Sequence, residues 1–310
     1  MKNNKITFPQ FITISFLSSL SLLLFIKNIP SLYLILCAVL SLAVNIAVFT
    51  LYRGQAEKFL IPLCGLFSAV YCTLVIVKFA DYMYRALSYG PMWLIMLVLL
   101  AFTFFCTVKG VEAVARASAV ISVFVLAGII YMFICIFSKM KLIFSPELPV
   151  EAVSAVILLL PSVLYVLFFD NIIKVKKSAY IIGSGIMVLV YMFFILIASG
   201  IISPYPIQHL PEISKIGVFK GADCILLAAL TIAVIYSVTV FTTGLFRIFR
   251  HKYLTNSVYI ALLYIFSLFV IYSGFENELC VFVFTPFCIL LIMLIITVSI
   301  ISRKGMYKNS

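Results

Sequence analysis

The side chains of this chain that could do chemistry are hydroxyls and aromatic rings set in apolar runs. Ser15, Ser18 and Ser19 fall at i, i+3 and i+4 in one run, with Ser21 beside them. Ser68, Tyr71 and Cys72 share a face in a second run. Tyr236, Thr239 and Thr243, with Ser237 adjacent, do so in a third, by the three-to-four-residue spacing that stacks side chains along one side of a helix. Pro161 stands near the middle of another run, followed by Ser162 and, one turn later, Tyr165. A proline there removes a backbone hydrogen bond and kinks the helix, which either frees backbone groups for a ligand or serves as a packing kink. Such groups suit a small neutral or zwitterionic ligand, held by Ser18, Ser19, Tyr71, Pro161, Ser162, Tyr165, Tyr236, Ser237 and Thr239. Hydrogen bonding between helices is the other use of the same stripes.

Other chemistries lack their residues. No charged side chain lies near the centre of an apolar run, whereas proton relays and ion pathways usually carry one there. Lys78, Asp81 and Arg85, at i, i+3 and i+7, form either an ion-pair ladder or a solvated helix end. The histidines are His209 and His251, and the eight cysteines include no Cys-x-x-Cys pair, so neither a metal site nor a disulfide framework is expected. No cofactor is expected. The enzyme alternative is a lipid-modifying transferase in the membrane, for which Asp170 and His251, beside Arg250 and Lys252, are the available acid–base residues. Gly183-Ser184-Gly185 reads as small-residue packing. A non-enzyme is the expectation.

The elements that must hold these residues follow from composition. Of 310 residues, 65% are hydrophobic and 10% charged, and the mean hydropathy is +1.27. Soluble proteins carry roughly 25% charged residues, and runs of about 20 apolar residues cross a bilayer as helices. An all-α polytopic membrane protein with ten spans is expected, at 8–26, 31–51, 59–77, 91–108, 117–137, 152–169, 179–200, 223–246, 253–273 and 279–301. The stretch 78–90 is amphipathic and could prolong the third span. The first span reads as an uncleaved helix, because its apolar run is long and no Ala-x-Ala-like site follows. The chain is thus one transmembrane domain, 1–310.

The net charge of +12 first suggests a polyanion partner, but its distribution says otherwise. With the amino terminus in the cytoplasm, the inner connections hold Lys2, Lys5, Arg53, Lys58, Lys109, Arg116, the cluster Lys174 to Lys177, Arg247, Arg250, Lys252, Arg303, Lys304 and Lys308. Basic and acidic residues balance on the other side, so the whole excess is cytoplasmic. That is an orientation signal with both termini inside, and no nucleic-acid partner is expected.

Ten spans divide into two sets of five, at about 8–137 and 152–301, and an odd number per set inserts the second upside down. Inverted repeats of this kind build many secondary transporters, whose ligand lies at mid-membrane beside broken first helices of each repeat. The sixth span, with Pro161, fits such a break.

The stretch Lys109-Gly110-Val111-Glu112-Ala113-Val114-Ala115-Arg116 is the most distinctive. Physically, Gly110 permits a tight turn at the membrane face, and Glu112 and Arg116 can pair at i, i+4 on the following helix. These are scaffold or gate roles. The stretch resembles the K-G-[IV]-E-x-[IL]-A-R signature of the spore germination permease family, the B subunits of germinant receptors, within the amino acid–polyamine–organocation (APC) transporter superfamily. The opening Ile6-Thr7-Phe8-Pro9-Gln10-Phe11 is similar to the family's start. Where that family usually has glycine in the first span, this chain has Ser18-Ser19, and its one tryptophan is Trp93, in the fourth span. The resemblance implies a five-plus-five transporter-like fold in the spore inner membrane or cell membrane. It also implies a small nutrient ligand, an amino acid above all, and companion A-type and lipoprotein C-type receptor subunits. An amino-acid or amine permease of the same superfamily is the alternative.

Overall fold

The computed structural model describes residues 6–21, 57–87, 90–136, 222–249 and 253–284, with single residues between 24 and 46 and between 286 and 300. Pro161, Ser162 and Tyr165, the sixth and seventh spans, and most of the second span lie outside the described residues. The elements are α1 (Phe8–Leu20), α2 (Glu57–Leu87), α3 (Met92–Lys109), α4 (Val111–Ile136), α5 (Ala222–Phe249), α6 (Tyr253–Ser273) and the short α7 (Glu276–Glu278), which runs into a π-helical segment, Leu279–Phe284.

Five of these are long and apolar enough to cross a membrane, over Gly65–Arg85, Met92–Lys109, Glu112–Tyr131, Leu227–Gly244 and Asn256–Ser273. The amphipathic stretch after the third span does continue the helix. α2 runs to Leu87 and ends before Gly90, whose φ of 94° only glycine adopts readily, and Pro91, which cannot continue an upstream helix. The next reversal is tighter. α3 ends at Lys109, Gly110 turns the chain at φ 84°, and α4 begins at Val111.

Burial sorts the helices into two classes. The apolar windows of α2 and α5 are 67% buried inside the molecule, whereas those of α3, α4 and α6 are 28%, 33% and 22% buried. α5 touches α1, α2, α3 and α4, and α6 lies against α2 and α3. The peripheral helices present Phe105, Phe124 and Phe269 outward. In water such a surface would drive aggregation; in hydrocarbon it carries no such penalty, because lipid tails are as apolar as the side chains.

Close packing in lipid depends on small residues. A Cβ added to Gly128 on α4 would lie 2.7 Å from Ile225 Cγ2 on α5. Most hydroxyls on the described helices are satisfied within their own helix. Thr73 donates to the Ala69 carbonyl, Thr103 to Leu99, Thr242 to Val238 and Thr243 to Thr239, the local bonding open to serine and threonine. α1 and α4 are joined between side chains, with Thr13 Oγ1 2.9 Å from Ser118 Oγ.

Candidate ligand-binding site

A serine or threonine can hide its hydroxyl against its own backbone, but a phenol held on a long ring cannot. A fully buried tyrosine therefore marks where polar groups of different helices meet. Tyr71, on α2, is such a residue. Ser237 Oγ of α5 donates to its oxygen at 3.2 Å. Ser21 Oγ, just beyond α1, lies 3.2 Å from the same oxygen. Because Ser21 gives its own proton to the Ser18 carbonyl at 2.7 Å, the Tyr71 hydroxyl is the donor to Ser21. The result is a directed hydroxyl chain, Ser237 to Tyr71 to Ser21 to the Ser18 carbonyl, that joins the two most buried helices to the end of α1.

Aromatic rings enclose it. The Tyr71 ring centroid lies 4.6 Å from Phe241 of α5 and 5.9 Å from Phe284, at the end of the π-helical segment. Phe67, one turn before Tyr71, stacks on Phe284 at 5.1 Å. Phe67, Tyr71, Phe241 and Phe284 are all fully buried. A polar centre walled by rings combines the residue types that line small-ligand sites, here packed against one another.

The expected site residues separate on this geometry. Tyr71 and Ser237 meet. Ser18 is buried beside them, its Oγ donating to the Ile14 carbonyl at 2.7 Å. Ser19 belongs to α1, but its side chain lies outside the described residues. Tyr236 and Thr239 turn the other way, toward Cys106 of α3. Ser237 is therefore the member of the eighth-span stripe that reaches Tyr71. Pro161, Ser162 and Tyr165 lie outside the described residues, so their place relative to Tyr71 is undescribed. Ser21, Phe241 and Phe284 were missed in sequence. Ser21 had a mark there, its place in the serine cluster; the phenylalanines, among 29 in the chain, had none.

Away from this centre, a cavity of about 340 Å³ opens between α3 and α6, lined by Leu97, Leu100, Ala101, Phe104, Ser257, Ile260, Ala261 and Tyr264. Its lining is almost wholly apolar, so it lacks the partners that a small polar ligand needs.

The family-like motif sits at the opposite end of α3 from Trp93. Lys109 is exposed, Gly110 makes the turn, and Arg116 lies 3.6 Å from Glu112 across one turn of α4. Toward the other end of α2, Arg85 grips Asp81 through Nε at 2.9 Å and a terminal nitrogen at 2.8 Å. Lys78 is neither on that ladder nor solvated: it is 6% exposed and pairs with Glu276 of α7.

The described helices thus belong to an integral membrane protein. Among solved structures the chain is similar to Mhp1, a nucleobase-cation-symport-1 family transporter in a closed conformation with bromovinylhydantoin bound, at a TM-score of 0.61 and 14% identity over 89% of this chain and 75% of that one. At that identity the likeness is one of fold alone. No family model and no curated protein match the sequence.

Proposed function

We propose that this chain is the membrane subunit of a spore germinant receptor. It folds as ten spans in two inverted sets of five, with both termini in the cytoplasm, and it binds a small nutrient, an amino acid above all, at mid-membrane. The observation that carries the binding reading is the hydroxyl chain through Tyr71, where three helices meet inside a wall of aromatic rings. The receptor role itself rests on the Lys109-to-Arg116 stretch. Binding exchanges the Ser237–Tyr71–Ser21 bonds for bonds to the ligand, and it drives a change of state only through its different affinities for the two states. The companion A-type and C-type subunits receive that change. The test is nutrient-triggered germination with Tyr71→Phe, which keeps the ring and removes the hydroxyl. A half-maximal nutrient concentration raised roughly tenfold is expected, the scale of one or two lost hydrogen bonds. An unchanged dose response removes Tyr71 from the site.

A permease of the same superfamily is the second reading, favoured by the likeness to a transporter with a small ligand bound. Uptake of labelled amino acids by proteoliposomes holding this chain alone separates the two, since saturable transport belongs to the permease.

A further inference from the structure

The pair of buried Lys78 and half-buried Glu276 has no part in the hydroxyl chain, yet it is built onto the same two faces. Phe67, Tyr71 and Lys78 fall at i, i+4 and i+11 along α2, on one side of the helix. Opposite them, Glu276, Cys280 and Phe284 follow at four-residue steps through α7 and the π-helical segment. Phe284 meets Phe67 and Tyr71, and Glu276 meets Lys78. The turn at Gly274, φ 70°, brings this second face down over the end of α2. Lys78 has no second claimant on its own helix, because both Asp81 oxygens are held by Arg85. Glu278, the other carboxylate of α7, is exposed.

We infer that the Lys78–Glu276 pair is a latch that closes this end of the molecule over the Tyr71 centre, and that its release lets the segment Gly274–Phe284 lift away. An apolar contact at this place would favour only the closed state. An ion pair is different: closed, the charges hold each other with little water; open, each is solvated. The desolvation cost, borne mainly by buried Lys78, offsets the attraction and leaves the two states near balance. A π-helical turn, a form found mostly at functional sites, is the element that would change register as the segment lifts. Cys280 sits one turn below Glu276 and is buried, so its thiol reports whether the segment is down.

The inference rests on the transporter-like reading only for what the latch controls. The measurement is the rate of N-ethylmaleimide labelling of Cys280 in the full chain in lipid nanodiscs, read peptide by peptide by mass spectrometry. It needs no ligand, so the latch and the nutrient site stand or fall separately. Glu276→Gln leaves buried Lys78, and Lys78→Met leaves half-buried Glu276, without a counterion; each should label Cys280 at least roughly tenfold faster than the native chain. The exchanged pair, Lys78→Glu with Glu276→Lys, should return the rate toward native, and Glu278→Gln should leave it unchanged. Cys72, fully buried on α2, stays unlabelled while the fold holds. If Cys72 reacts in a single variant, Glu276→Asp, which keeps the charge on a shorter arm, takes its place under the same criteria. Single variants that label Cys280 no faster than native, or an exchanged pair as fast as the singles, overturn the latch.

Discussion

At the scale of the residue, Tyr71 carries more of the site than any other side chain, and the size of its effect on stability can be bounded. Hydrogen bonds between membrane helices contribute about 0.6 kcal/mol on average and about 1.7 at most. Ser237→Ala should therefore cost about 0.6 kcal/mol in thermal denaturation of the purified protein. Tyr71→Phe, which touches both bonds, should cost about 1–2 kcal/mol. The double variant should cost less than the sum, because both changes remove the same Ser237–Tyr71 bond; strict additivity would mean that the bond is absent in the membrane protein. Tyr71 and Ser237 were legible as members of hydroxyl stripes. Tyr236 and Thr239 were equally legible and point elsewhere, because a stripe fixes a face and not the helix that the face meets. Glu276 left no mark either: a carboxylate in a loop gains meaning only when the fold brings Lys78 beneath it.

At the scale of the element, the same asymmetry recurs. The end of α2 and the one-residue reversal at Gly110 follow from glycine and proline, whose backbone preferences are local and so can be read from the chain. The π-helical segment does not: Leu279–Phe284 is an ordinary apolar run in sequence, and its wider turn is seen only where the fold sets Phe284 against Phe67 of α2. Gly128 is similar, one glycine in an apolar helix until α5 is laid beside it. Gly128→Val should drive side-chain atoms into Ile225 and lower stability by about 1–3 kcal/mol, as overpacking does. Ile225→Ala in the same chain should recover most of that loss in a thermal melt. A loss that Ile225→Ala leaves unchanged would place the strain elsewhere on α4.

For the whole molecule, geometry sorts residues between the two membrane faces, and the proposed orientation then rests on charge. α3 has 18 residues, which rise about 27 Å as a helix and nearly cross the roughly 30 Å hydrocarbon layer. Its two ends must therefore lie at opposite faces. Tyr84, Arg85 and Gly90 fall at one face, joined there by Glu276 through its contact with Lys78. Lys109, Gly110 and Arg116 fall at the other, and the Thr13–Ser118 bond puts the start of α1 on that side too. The geometry fixes which residues share a face, and the proposal that the Lys109 face is cytoplasmic rests on the bias of lysine and arginine. Single cysteines at Tyr84 and Lys109, both exposed, test that choice in intact cells with a membrane-impermeant maleimide, the native chain giving the background. Tyr84→Cys should label from outside, and Lys109→Cys should label only after the membrane is opened. The reverse pattern would put the +12 excess on the outer face and overturn the proposed cytoplasmic placement of both termini.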